Sequence, residues 1–297
     1  MAKRVYLMLV HSTGIANPLV WQRFLIASKG AAALAIHVDA NGPQPDLGPL
    51  QDYRLEVSLP TRWGSAAMVS AELRGAAEAF SKHPTAQHVV VCSGTDVPIK
   101  RVPPSELADG TSYFRFYYDP QANEANVSKV RSSPNLADEH RPLLQHINFH
   151  SQWCILCREH ALLLAHREAE LLAAFAPVQW AFGGSGSSRV GLAPDEWFLY
   201  AGLRMWGVPA ARARDKVACA AYFDACRMHP VTFRSLQLSE QHLGGTVTLG
   251  DVCRDAAAAS GKVTRQHVAL TLRKVDLADP AEQLELLGLL EQCWRRL

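Results

Sequence analysis

VVVCSGTDVPIK, Val89 to Lys100, is the stretch whose reading decides the fold. Val89, Val90, Val91 and Cys92 run into small residues, then one acid, then a proline. That order predicts a buried strand stopped by a turn, with Asp96 at its carboxyl end. Ligands of open α/β sheets bind at that end. Asp96 therefore faces a metal, a sugar or its own turn.

Upstream, the same logic repeats. Val5 to Val10 form a strand and His11 to Ala16 a small-residue loop. Asn17 caps a helix that has Pro18 at its first position and Gly30 just past its end. AAALAIHVD is a second buried strand, closed by the turn residues ANGPQP, so Asp39 lies at its carboxyl edge. This βαβ unit should cross over right-handed. RWGSAAMVSAELRGAAEAF is a helix with Val69, Leu73, Ala76 and Phe80 on one face, and HVVVCSGTD is the strand after it.

Beyond Pro103 the alternation weakens. TSYFRFYYD is an aromatic strand, residues 120–145 are polar, proline-bearing loop, and INFHSQWCIL is another strand. A leucine-rich helix follows from Arg158 to Phe175, then a flexible connector from Gly183 to Ser188, then a helix in PDEWFLYAGLRM. The C-terminal DPAEQLELLGLLEQCWRRL is an amphipathic helix capped by Asp279, with Pro280 at its first position. There is no internal repeat and no clear domain boundary.

Composition narrows the class. A chain of 297 residues, 48% hydrophobic and 20% charged, is an ordinary globular protein with room for a sizeable core. A net charge of +2 and the lack of a basic stripe with interleaved aromatics argue against nucleic acid. The 7 cysteines are odd in number and scattered, unlike a disulfide scaffold. Cys154 and Cys157 form a CxxC that no second pair answers, so buried thiols beside Trp153 are the simpler reading. No segment reaches the roughly 20 apolar residues of a membrane span, and VYLMLV is too short for a signal. As written, the chain is expected to be cytoplasmic or otherwise soluble.

Seven segments then occur in a familiar order: IHVDA (36–40), RWGSAAMVSAEL (62–73), CSGTDVPIK (92–100), HSQWCILCREHA (150–161), PDEWF (194–198), FDACRMHPVTF (223–233) and LTLRKVD (270–276). The chain resembles the core-2/I-branching β-1,6-N-acetylglucosaminyltransferase family, particularly its plant-like branch. The resemblance implies a single GT-A glycosyltransferase domain: a Rossmann-like, nucleotide-binding half over 1–102, an acceptor-binding and catalytic half over 103–297, and a mixed central sheet flanked by helices. It implies inverting transfer from a UDP-sugar, typically UDP-GlcNAc, to a glycan or glycoconjugate, with no metal cofactor. Where metal-dependent GT-A enzymes carry Asp-X-Asp, this chain has Ser93-Gly94-Thr95-Asp96. Eukaryotic members usually carry an N-terminal anchor and work in the Golgi lumen, the expected location if this chain is the catalytic portion of such a protein.

Inverting transfer needs a positioned carboxylate and a cation for the departing diphosphate. The resemblance places the base at Glu196, with Asp195 as helix cap or support. For a lone acid in a first helical turn, attraction to the helix dipole is the alternative reading. Without a metal, Arg and Lys must hold the diphosphate. Lys274 fits one basic segment, with Arg273 beside it; Arg227 or Arg234 fits the other. Asp39 matches an acid at the nucleoside end of UDP, or is a turn residue before Asn-Gly. His11 could flank that pocket, and Ser151 with Gln152 falls in a stretch near the donor. Asp96 serves the sugar side or the Pro98 turn. Trp197 and Arg204 line an acceptor cleft or, equally, pack in the core. Trp63 and Trp153 are read as packing.

Two further readings stay open: the same fold with UDP-xylose, UDP-glucose or UDP-galactose, and a non-catalytic protein that binds nucleotide sugar or glycan. A Rossmann dehydrogenase is disfavoured, because HSTGIANP lacks the G-x-G-x-x-G pyrophosphate cradle.

Overall fold

The computed structural model describes residues 3–10, 14–62, 64–98, 107, 110–116, 120–182 and 193–209, together with the later short strands and the final helix. At its centre β1 (Lys3–Val10) lies parallel to β2 (Ala32–Val38) on one side and to β3 (Ala86–Ser93) on the other. The near-continuous apolar runs of these strands follow from burial on both faces of the sheet. Tyr6, Met8 and Val10 alternate into one core with Val90 and Cys92, while Val5, Leu7 and Leu9 enter a second core with Val89 and Val91.

Each core is closed by its own helices. On the first face lie α1 (Pro18–Ala27) and the C-terminal helix α7 (Pro280–Arg295). Tyr6 meets the rings of Trp21 and Phe24 edge-on at 5.4 and 5.5 Å, and Phe24 meets Trp294 of α7 at 5.5 Å. On the second face lies α2 (Ala66–Lys82), whose Val69, Leu73, Ala76 and Phe80 are buried as the periodicity predicts. Beside it pack α4 (Arg158–His166), α5 (Glu168–Phe182) and α6 (Phe198–Met205).

Past β3 the sheet changes direction. β6 (Ile155–Cys157) is antiparallel to β3, β5 (Ser112–Phe114) is antiparallel to β6, and β7 (Ala213–Asp215) is parallel to β5. The order β2-β1-β3-β6-β5-β7 is the mixed, helix-flanked sheet expected from sequence. A smaller sheet joins β4 (Val97–Pro98), β11 (Ala269–Leu272) and β8 (Cys219–Ala221), and β9 (Glu240–His242) pairs with β10 (Gly245–Val247). Among the described residues, no helix is long and apolar enough to cross a membrane.

Several local expectations are corrected. Residues 120–145 are not loop: they hold α3 (Pro120–Arg131) and most of a 3-10 turn, Asp138–His146. Among the described residues of α3 only Val127 and Val130 are buried, too thin a stripe to read in so polar a segment. The helix read over 158–175 is two helices, α4 and α5, parting at Arg167; Glu168 then opens α5 and is gripped by both arms of Arg74 from α2, at 2.8 and 3.1 Å. The aromatic strand shortens to β5, and Phe116 beyond it makes one bridge to His150. Asn17 precedes α1 without a side-chain cap bond. The Gly183–Ser188 connector and Asp279 lie outside the described residues.

Because Trp294 closes the first core, Trp294→Ala should lower unfolding free energy by about 3–5 kcal/mol. Denaturant titration measures this, and a loss below ~1 kcal/mol would detach α7 from the core.

Candidate active site

The carboxyl ends of the three parallel strands meet at one edge. Val10 accepts the backbone N–H of Asp39 at 2.9 Å, and Leu9 accepts that of Gly94 at 3.1 Å, so β1 ends between the two turns. Gly94 is required by close approach: a Cβ there would lie 2.5 Å from the carbonyl oxygen of Gly14. Its own carbonyl accepts the N–H of Ala16 at 2.9 Å, which ties the β1–α1 loop to the β3 turn.

Both strand-end acids are engaged locally. The Asp96 side chain is fully buried and accepts the Ser93 N–H at 2.9 Å and the Ser93 hydroxyl at 3.0 Å. Trp21 reaches from α1 to donate its indole N–H to the Asp96 carbonyl at 2.7 Å. Of the three partners open to Asp96 from sequence, its own turn holds the carboxylate. Asp39 accepts the N–H of Asn41 at 2.8 Å, the N–H of Thr61 at 3.0 Å and the Thr61 hydroxyl at 2.7 Å. The Asn41 bond is the turn chemistry that Asp before Asn-Gly predicts.

The reversed strand brings a second group to this edge. Since β6 runs against β3, with Val90 opposite Ile155 and the Val91 N–H on the Cys154 carbonyl at 3.0 Å, the residues before β6 lie at the carboxyl end of β3. That segment is bonded outward through Ser151 N–H to Arg115 O at 2.8 Å. It is bonded onward through His150 N–H to Glu196 O at 2.7 Å.

Glu196 stands in a 3-10 turn, Pro194–Glu196, and not in the first turn of α6. Trp197, with φ −160°, separates the two; it starts α6 without any side-chain cap, so Asp195 does not cap that helix. The turn divides its acids. Asp195 points into the core, 3% exposed, whereas Glu196 is half-buried. Trp197 is fully buried against Phe175 at 5.5 Å and Phe198 at 4.3 Å, so its ring packs in the core and lines no cleft.

Behind the turn lie two ionisable groups that the sequence reading missed. The His150 ring is fully buried, donates Nδ1–H to the Ser151 carbonyl at 2.8 Å, and finds no partner for Nε2. Desolvation lowers its pKa from 6.5 to about 4, so it is neutral at pH 7. Glu72 of α2 is 1% exposed, and neither carboxyl oxygen has a hydrogen-bond partner. Burial first, and then the charge of Asp195, raises its pKa well above the usual carboxylate range. The signal for Glu72 was present: it lies three residues after Val69 and four before Ala76, an acid on an apolar stripe.

Ser151 is fully buried, its hydroxyl accepting the Trp153 N–H at 3.3 Å, while Arg204 is exposed in the last turn of α6. Cys154 and Cys157 are buried free thiols beside buried Trp153, as read. His11, Trp63, Arg227, Arg234, Arg273 and Lys274 lie outside the described residues. The strand leading to the last two is described: β11 ends at Leu272, which pairs with Val97, the neighbour of Asp96.

Comparison with protein families adds one match. The model of the family described as Core-2/I-Branching enzyme matches residues 5–244. No curated protein matches the chain.

The His150 ring gives a pH test. Its folded pKa lies below its unfolded value, so the unfolded chain takes up the proton first as pH falls. Stability should therefore drop by about 3 kcal/mol between pH ~6.5 and ~4, and the ring resonances should stay fixed by NMR down to pH ~5. A ring titrating at its ordinary value would contradict its burial.

Proposed function

The chain belongs to the Core-2/I-branching enzyme family, whose members are glycosyltransferases acting between a nucleotide-sugar donor and a glycan acceptor, and on that premise we propose an inverting transfer of N-acetylglucosamine from UDP-GlcNAc to a glycan hydroxyl, without a metal. The observation that carries this reading is the divided turn: Asp195 is buried, and Glu196 remains half-buried on a backbone fixed by the 2.7 Å bond from His150. A general base has to be held in place and still reach its substrate.

In the proposed step the Glu196 carboxylate removes the proton from the acceptor hydroxyl. That oxygen forms a bond to the anomeric carbon, and on the opposite face the bond to the β-phosphate oxygen breaks, so UDP leaves with the electron pair. Lys274 and Arg273, with Arg227 or Arg234, neutralise the departing diphosphate. The pairing of Leu272 with Val97 supports this, since Arg273 and Lys274 follow Leu272 in sequence and Val97 adjoins the strand-end turn. Asp39, beside the end of β1, serves the nucleoside end. Metal independence is supported by Gly94 in place of a carboxylate and by the engagement of Asp96 with Ser93.

Glu196→Gln should lower kcat by roughly 10²–10⁴-fold while UDP affinity is largely kept, measured by UDP release and calorimetric titration. Parallel loss of UDP binding would make Glu196 structural. Activity should survive EDTA; a strict requirement for manganese or magnesium would refute the cationic mechanism. A panel of UDP-GlcNAc, UDP-xylose, UDP-glucose and UDP-galactose identifies the donor, and UDP binding without release from any of them would identify a non-catalytic binder.

A further inference from the structure

His150 meets the Pro194–Glu196 turn through its backbone and is held in place through its ring. The backbone N–H donates to the Glu196 carbonyl at 2.7 Å, and ring Nδ1 bonds the carbonyl of the next residue, Ser151, at 2.8 Å. A carbonyl can only accept, so Nδ1 carries the proton and Nε2 keeps a bare lone pair. That lone pair is buried without a hydrogen-bond partner among the described residues. Histidine therefore carries a desolvation cost here that leucine, filling similar space, would avoid. What the imidazole supplies and leucine lacks is the Nδ1–H on Ser151. The ring is also pinned from the side of β5: Phe114 meets it at 4.7 Å, Phe116 forms an antiparallel bridge with His150, and the Ser151 N–H donates to the Arg115 carbonyl at 2.8 Å. The same Phe114 and Phe116 rings meet Tyr200 of α6, the helix that follows Glu196, at 5.4 and 4.7 Å.

We propose that His150 is a positioning residue for Glu196: its Nδ1–H, locked onto the Ser151 carbonyl, sets the backbone at 150–151 so that the His150 N–H holds the Glu196 carbonyl and aims the carboxylate at the acceptor hydroxyl. The inference rests on Glu196 acting as the base. The ring bond spans the torsions between residues 150 and 151, and the Phe114 contact fixes the ring itself. Together they orient the peptide whose N–H Glu196 accepts. Within the turn the bonds are local, Glu196 N–H to Ala193 O at 2.9 Å and Trp197 N–H to Pro194 O at 3.1 Å. The bond from His150 comes instead from the segment that leads into β6, and so references the turn to the central sheet. Burial keeps the ring neutral at pH 7, in agreement with a single proton on Nδ1. A base displaced by about 1 Å can lose roughly 10²-fold in rate, so a restraint of this kind has a kinetic consequence.

The test compares His150→Leu with His150→Asn. The asparagine amide places an N–H where Nδ1 stands and can still donate to Ser151, whereas leucine cannot. In His150→Leu kcat should fall roughly 10–100-fold, with donor KM and UDP affinity within about twofold of wild type, because only the base loses its aim. His150→Asn should keep kcat within about threefold of wild type although it leaves a cavity beside Phe114 and melts lower. Recovery in spite of lost stability separates positioning from packing. Nitrogen NMR of the wild-type imidazole at neutral pH should show the Nδ1–H tautomer, whether or not the enzyme is turning over. Full activity in His150→Leu, equal kcat losses in both variants, or the Nε2–H tautomer would overturn the proposal. If His150→Leu does not fold, a kcat in His150→Asn below about a tenth of wild type overturns it equally. Full activity in Glu196→Gln would instead remove the base assignment, and the tautomer would still judge the ring bond.

Discussion

The antiparallel pairing of β6 with β3 is the constraint on which the site depends. Three parallel strands alone deliver one set of carboxyl ends, with Asp39 and the Ser93–Asp96 turn around the end of β1. Reversing the next strand delivers its amino end to the same edge, and with it the segment that bonds Glu196. A parallel strand at that position would send residues 150–154 to the opposite edge. Glu196 and the turns that hold Asp39 and Asp96 share an edge because of strand direction.

Around this edge the protein separates acids by environment. Asp96 is taken up by its own turn and Asp39 by Asn41 and Thr61, while Asp195 is buried and Glu196 half-buried. His150 and Glu72 are both driven toward their neutral forms by burial, in opposite directions of pKa. The region behind the turn is thus poor in net charge although rich in ionisable side chains.

Much of this architecture was legible in the residues. The run Val89–Val91, stopped by small residues and a proline, reads as a strand buried on both sides, and the spacing of Val69, Leu73, Ala76 and Phe80 fixes the inward face of α2. What escaped was carried by few residues or by tertiary contact. α3 buries little beyond Val127 and Val130, and the break at Arg167 is joined by an ion pair from α2, ninety-four positions away in sequence. Glu196, proposed as the base, and the turn residues were singled out by their motifs. That Asp195 and Glu196 diverge could not be read there, because adjacent residues in a 3-10 turn sort by what surrounds them. Glu72 was visible as an anomaly on an apolar stripe, but that it is buried without a hydrogen-bond partner was not.

The docking of α7 onto α1 has a bearing on biogenesis. Tyr6, Trp21 and Phe24 are made long before the side chain that seals them, Trp294. Until Trp294 has been made and has cleared the ribosome, an aromatic surface stays uncovered on the nascent chain, available to chaperones and prone to self-association. Closing that seam joins Phe24 to Trp294, far apart in sequence, so this face collapses only after every element between them has been synthesised.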